Sequence, residues 1–328
     1  MTVSVVISTY NRAGMVRQAI QAALSQSRPP EEIVVMDDGS TDATAETLAE
    51  LAGAHSRLRV FRRFQNSGGV EAWNDAAAQA RGDCIAFCAD DDRFLREHLE
   101  ASAAYLEAHP DTGFVHSGFI DAVESLGDES FDERPFRSKT PLTTRRGDLI
   151  SYMTRYYDWP LHPSTVVVRR EVWEASGGFN PAYALTDTDW FMRVAEQTSG
   201  VLLPRHGVYN RRHAGNWSNR LGSARMQGEI FEIVEASISR LFERRPVGRT
   251  IWRAIWRANA RLHLLMTARA RVKSGHGNAA CAAWRGMMRN TGRNAPVWLE
   301  RAGENFIRWR CRGREPEIAK PLERFSPL

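Results

Sequence analysis

The chain has only four cysteines in 328 residues, Cys84, Cys88, Cys281 and Cys311. They form neither a CxxC pair nor the even framework of a short secreted chain, which argues against a structural zinc site and a disulfide scaffold. Cys84 and Cys88 read instead as buried thiols of a strand. Long hydrophobic runs are missing too: none approaches the roughly 18 to 20 residues of a membrane-spanning helix. The opening Val3 to Thr9 has no charged leader and is too short for a secretory core, so a cytoplasmic protein without a signal peptide is expected. Internal repeats and low-complexity tracts are absent. What is present, 43% apolar residues, suffices for one large domain and a smaller appendage.

Charge is unevenly placed. The net charge is +5, yet from Arg240 onward about 20 Lys and Arg stand against about 6 Asp and Glu, leaving roughly −9 for everything before. An acidic half suits metal binding; a basic tail suits an anionic surface such as phospholipid, a phosphorylated lipid or nucleic acid.

Periodicity gives an α/β reading. Val3 to Thr9 is short, β-branched and nearly all apolar, as a strand buried on both faces of a mostly parallel sheet should be. Ala13 to Ser25 follows with helical spacing at Met15, Val16, Ala19, Ile20, Ala23 and Leu24. A second strand, Ile33 to Met36, runs into Asp37-Asp38-Gly39-Ser40-Thr41-Asp42, and a helix over Ala43 to Ala52 is expected with a cap from Ser40, Thr41 or Asp42. A third strand spans Leu58 to Phe61. Gly68-Gly69 opens a helix over Val70 to Ala80, and a strand from Cys84 to Cys88 ends in Ala89-Asp90-Asp91-Asp92. Ligands of open α/β sheets bind at the carboxyl ends of strands, so both acidic clusters belong on one rim. Phe114 to Phe119 and Ser164 to Val168 read as strands, and Glu124 to Arg146 between them as loop. The expected division is residues 1–222 for the α/β domain and 223–328 for a basic, mainly helical region. There Trp252, Trp256, Ala260 and His263-Leu264 share a face beside Arg253, Arg257 and Arg261, the pattern of a basic helix with interfacial tryptophans.

Three acidic clusters invite chemistry on a diphosphate. A divalent cation bridging phosphates prefers oxygen ligands, and carboxylates at a strand end provide them. The bland readings are a solvated turn for Asp90 to Asp92, an Asx turn for Asp38, a strand-end cap for Ser8 and an N-cap for Asp187.

Taken in order, Val5-Val-Ile-Ser-Thr-Tyr-Asn-Arg12, Ile33-Val-Val-Met-Asp-Asp-Gly-Ser-Thr-Asp42 and Gly82-Asp-Cys-Ile-Ala-Phe-Cys-Ala-Asp-Asp-Asp92 resemble the family-two inverting glycosyltransferases of GT-A fold, over about two thirds of the chain. The resemblance implies a Rossmann-like, mostly parallel mixed sheet flanked by helices. It also implies a donor site in which Ser8 and Tyr10 line the nucleobase pocket, Asp38 binds the base and Asp90 the ribose, with Arg12 among the donor-binding residues. Asp91 would ligate Mn2+ or Mg2+ as part of a DxD-like motif, here Ala89-Asp90-Asp91. His213 would join the metal or the diphosphate. Arg211 and Arg212 could meet phosphate oxygens. Gly177-Gly178-Phe179-Asn180 and Thr186-Asp187-Thr188-Asp189-Trp190-Phe191-Met192-Arg193 are similar to the family's acceptor segment, which makes Asp187 the base and leaves Asp92, Asp189 and His162 as acceptor-side or supporting residues. Thr186 replaces a more usual glutamate.

The expected activity is transfer of a sugar from a UDP- or dTDP-sugar to a hydroxyl of a glycan, glycolipid or lipid-linked acceptor in bacterial surface or secreted glycan synthesis. Peripheral contact with the inner membrane face would run through the basic tail. No nucleic-acid motif is present, and none is expected as partner. Two other readings stay open. A sugar-nucleotide-forming nucleotidyltransferase would carry a Gly-rich basic loop after the first strand, which Ser8 to Arg12 is not. An inactive GT-A-like protein could hold membrane or nucleic acid through its tail.

Overall fold

The computed structural model describes residues 1–123, 130–132, 142–144, 162–213, 215–216, 223–243, 247–257 and 305. Chain contacts divide it into two compact units, Met1–Ser151 with Trp159–Arg220, and Tyr152–Asp158 with Leu221–Leu328.

In the first unit β1 (Val3–Thr9), β2 (Glu32–Asp37), β3 (Leu58–Arg62) and β4 (Cys84–Phe87) form a parallel array in the order β3-β2-β1-β4. Every residue of β1, β2 and β4 is buried, the burial expected of strands covered on both faces. Helices α1 (Ala13–Leu24), α2 (Thr44–Ala54) and α3 (Gly69–Ala78) connect them. Val16, Ala19, Ile20 and Ala23 carry the buried stripe of α1 into the same core as Val5, Ile7, Ile33, Val35 and Ala86. The short β5 (Arg93–Phe94) and α4 (His98–Ala108) lead to β6 (Thr112–Val123).

The sheet then turns mixed. After β7 (Ser130–Asp132) and β8 (Leu142–Thr144), a 3-10 turn at Pro163–Thr165 opens β9 (Val166–Arg169), which runs antiparallel to both β4 and β6. Helices α5 (Arg170–Ser176) and α6 (Thr186–Gln197) precede β10 (Ser199–Arg212), which is parallel to β6 and antiparallel to β5 and β8.

Several boundaries differ from the sequence expectation. Ser164 and Thr165 lie in the 3-10 turn, where Pro163 sets the backbone and the Thr165 N–H and hydroxyl both donate to the His162 carbonyl, at 2.9 and 2.7 Å. The Glu124 to Arg146 segment, read as loop, contains β7 and β8; its remainder lies outside the described residues. Strand β10 carries no clean alternation because its register against β6 shifts twice between Leu202 and Val208, around Pro204 and Gly207. Helix α2 begins at Thr44 rather than Ala43, and of the three expected caps Asp42 receives the Thr44 N–H at 2.9 Å.

In the second unit α7 (Ser223–Leu241) pairs with α8, residues 247–257. Trp256 is fully buried and stacks on Phe231, while Trp252 stacks on Phe242. Arg253 and Arg257 both reach Glu235, at 3.1 and 2.8 Å. The tryptophans therefore serve the helix pair, and the exposed apolar stripe of α8 is Val247, Ile251 and Ile255. Ala260, Arg261, His263 and Leu264 lie outside the described residues.

Candidate active site

The three parallel strands β1, β2 and β4 end side by side, so the loops after them meet on one rim. Asn11 locks the first two loops together. It adopts a left-handed backbone, φ 53°, which asparagine tolerates better than most residues. Its Oδ1 accepts the Thr41 N–H at 2.7 Å and its own N–H donates to Ser40 Oγ at 2.9 Å.

Asp38 begins the loop after β2 and is buried. Its carboxylate accepts the N–H and hydroxyl of Ser67, at 3.1 and 2.9 Å, and the Gly68 N–H at 3.0 Å. Gly39 beside it has φ +78°, and a Cβ there would meet the Gln65 carbonyl carbon at 2.8 Å. Of the base-side candidates, Asp38 is tied to the 67–68 turn, Ser8 is buried in β1 and Tyr10 is 40% exposed.

The loop after β4 collects the charges. Arg12 Nη1 lies 2.7 Å from Asp90 Oδ1 and 2.8 Å from Asp91 Oδ2, and Nη2 donates to the Gly215 carbonyl at 3.2 Å. Thr9 Oγ1 donates to Asp90 Oδ2 at 2.8 Å. Burial pushes Asp90 up to about 6 even though Arg12 opposes it. Asp91 Oδ2 also meets His213 Nε2 at 3.0 Å and Asn216 Nδ2 at 3.4 Å.

Asp92 faces the other way. It is buried, accepts the Ser164 hydroxyl at 2.5 Å and the Arg211 N–H at 3.2 Å, and lies 3.5 Å from His162 Nδ1. Burial, reinforced by Asp91, pushes it up to about 7. His162 acts on Asp187 as well, its charge partly opposing the rise that loss of solvent imposes on that carboxyl. The Arg211 guanidinium bonds Gln18.

Asp187 is the second residue of α6, whose N-cap is Leu185, and its Oδ1 takes the Thr188 N–H at 2.7 Å. Asp189, one turn before Arg193, pairs with it at 2.8 Å. Arg193 in turn donates to the Ser176 carbonyl and, at 2.6 Å, to the Gly178 carbonyl. Below this clamp Trp73, Phe87, Trp173, Phe179 and Trp190 form an aromatic cluster with ring centroids 4.8 to 6.0 Å apart. It seats α6 against β4, the strand that carries Asp90 and Asp91 just beyond its end.

Asn11, Ser164 and Asn216 organise the site without having been singled out in sequence. Asn11 carried a signal, a polar residue able to take positive φ directly after a strand. Ser164 and Asn216 carried none, because their partners lie 72 and 125 residues away.

Asp91 and His213 offer the oxygen and imidazole nitrogen that Mn2+ accepts, and an oxygen that suits Mg2+. The Asp91 side chain keeps 12% exposure. Among the described residues no three His, Cys, Asp or Glu side chains form a ready-made metal cage. The donor set fits an ion whose remaining ligands come from a bound diphosphate and water.

Among the described residues no helix is long and apolar enough to cross a membrane. Residues 4–152 match the family model described as Glycosyl transferase family 2. The glycosyltransferase YwdF of Bacillus subtilis is 30% identical over 236 residues, 69% of this chain and 81% of that protein. TuaG of Bacillus subtilis, a relative whose name assigns it to teichuronic acid biosynthesis, is 32% identical over 104 residues, 32% of this chain and 41% of that protein. Among solved structures, S. aureus TarS 1–349 in complex with UDP-GlcNAc superposes with a TM-score of 0.64 at 19% identity, covering 94% of this chain and 90% of that one. The fold of the chain is that of the TarS glycosyltransferase, GT-A.

Proposed function

The chain belongs to glycosyl transferase family 2, and from that premise we propose that it is a metal-dependent, inverting glycosyltransferase acting from a UDP- or dTDP-sugar on an acceptor hydroxyl. The observation that supports this reading is the meeting of Arg12 and His213 on the carboxylates of Asp90 and Asp91 just beyond the end of β4.

Each residue then has a task. Asp38, Ser8 and Tyr10 take the nucleobase and Asp90 the ribose. Asp91 and His213 hold a divalent cation, which when bound supplies positive charge against the departing diphosphate. Arg12 offers a guanidinium that can meet phosphate oxygens. Asp187, raised by loss of solvent, is a stronger base than an ordinary aspartate and takes the acceptor hydroxyl proton. The new bond from acceptor oxygen to anomeric carbon forms as the bond from that carbon to the diphosphate oxygen breaks, so configuration inverts. Asp189 holds α6 in place through Arg193.

The acceptor class is a glycan, glycolipid or lipid-linked glycan of surface or secreted polysaccharide synthesis, in keeping with the name of TuaG and the UDP-GlcNAc complex of TarS. A cytoplasmic site of action, peripheral on the inner membrane face through the basic second unit, completes the proposal. Asp187→Asn tests the core of it: UDP or dTDP binding should persist while transfer falls by roughly 100-fold or more, the range of a general base. Transfer by Asp187→Asn at near the normal rate dismisses Asp187 as base.

A further inference from the structure

The donor site contains a cation of its own. Asp90, Asp91 and Asp92 are consecutive, and such closely placed carboxylates repel one another unless positive charge stands between them. Arg12 supplies that charge by bridging Asp90 and Asp91 through one nitrogen, at 2.7 and 2.8 Å. The oxygen it takes, Asp91 Oδ2, is also the one facing His213 Nε2.

The imidazole is engaged in a way that opposes ligation. Gly215 N–H donates to His213 Nδ1 at 3.2 Å, so a neutral ring carries its proton on Nε2 and gives it to Asp91 at 3.0 Å. A histidine that ligates a metal through Nε2 needs that nitrogen bare and its proton on Nδ1, donated to an acceptor. Both candidate ligands are therefore occupied by protein donors, and Gly215 joins the two arrangements because its carbonyl also holds Arg12 Nη2.

Only the head of Arg12 is free to leave. Its N–H is bonded to Thr44 Oγ1 at 3.1 Å and its carbonyl accepts the Val16 N–H at 2.9 Å, which anchors the backbone at the start of α1. The side chain is 25% exposed. A guanidinium matches phosphate oxygens as well as carboxylates, through the same paired donors.

Resting on the donor-site reading above, we propose that Arg12 is the resident counter-cation of this site and keeps a divalent ion off Asp91 and His213 until a nucleoside diphosphate draws the guanidinium away. Metal and nucleotide then bind with positive coupling, each strengthening the other by the same factor.

Mn2+ binding to the full, EDTA-stripped chain, followed by the electron paramagnetic resonance of free Mn2+, tests this with and without UDP or dTDP. Wild type should bind Mn2+ weakly alone and much more tightly with the accepted nucleotide. Arg12→Met should bind Mn2+ alone about tenfold tighter or more, the effect of freeing a carboxylate from one charge-assisted bond, and should lose coupling by the same factor. Arg12→Lys keeps the charge but not the paired donors and should bind Mn2+ alone less tightly than Arg12→Met does. Thermal melts establish that the variants are folded. If wild type binds Mn2+ equally with and without nucleotide, or Arg12→Met binds it alone as weakly as wild type does, the gate is overturned and the donor site stands. If nucleotide binds but never brings Mn2+ with it, the metal reading itself fails and takes the gate with it.

Discussion

Replacing Asp189 with asparagine should loosen the wall that presents Asp187, and the size of the effect follows from three bonds. Arg193 links Asp189 to the Ser176 and Gly178 carbonyls. From the other side Asn74 clamps the same turn, giving its amide to the Phe179 carbonyl at 2.8 Å and accepting the Phe179 N–H at 2.9 Å. Gly178 needs its positive φ of 73° there, and a Cβ would meet Asn74 Oδ1 at 2.8 Å. Asp189→Asn preserves shape and removes charge. The Asp189 side chain is 5% exposed but that of Arg193 is 20% exposed, so water recovers part of the loss and about 1.5 to 2 kcal/mol is expected, the lower part of the range for a charged hydrogen bond. For a unit of this size that lowers the melting temperature by roughly 3 to 8 °C. Arg193→Met removes three donors and strands a buried carboxylate, so it should cost more, about 3 to 5 kcal/mol. Urea unfolding of both single variants and the double variant, followed by circular dichroism, gives the coupling. Single effects below about 0.5 kcal/mol that simply add would refute the clamp, since contacting charges are expected to couple. Asp189→Asn should also lower the transfer rate more than it weakens UDP binding, because its clamp supports Asp187 rather than the donor loops.

Glu32 is buried, and although burial alone would raise its carboxyl, bonds from Arg59, Ser4 Oγ and the Arg81 N–H hold it below the usual value of 4.5. A depressed carboxyl contributes stability above its unfolded value that is lost as pH falls through its folded one; unfolding measured from pH 6 down to 3 should show that loss in wild type and a flatter limb in Glu32→Gln. For catalysis, the raised Asp187 predicts that kcat/KM falls on acidification at a pH above the ordinary 3.8, and an acid limb at or below that value would count against its role. Gly39→Ala places a Cβ 2.8 Å from the Gln65 backbone at φ +78°, so UDP or dTDP binding and the melting temperature should fall together, by about 1 to 3 kcal/mol in stability. Gly82→Ala, whose Cβ would meet Ser4 N at 2.7 Å away from the rim, should lower stability with nucleotide affinity unchanged.

The parallel half of the sheet was legible because each buried strand is a short apolar run bounded by turn residues. Val3 to Thr9, Ile33 to Met36 and Cys84 to Phe87 all show that pattern, and their carboxyl ends place Asp38, Asp90 and Asp91 on one rim. The mixed half was less so. Strand β10 contains Pro204, Gly207 and three register shifts that erase any period, and Thr165 looks like strand until Pro163 fixes it in a 3-10 turn. The tail showed its charge but not its direction: Arg253 and Arg257 turn onto Glu235 and leave Val247, Ile251 and Ile255 outward.

The sequence by itself determined the order of strands and helices in the first half, the ends at which aspartates collect, and the family, since these follow from local apolar pattern and contiguous motifs. Tertiary structure alone decided who answers those aspartates. Arg12 stands 78 and 79 positions from Asp90 and Asp91, His213 lies 122 from Asp91, and Ser164 lies 72 from Asp92. Charge and hydrogen bonding act through space over a few ångströms, and only the closing of the sheet brings such positions within that reach.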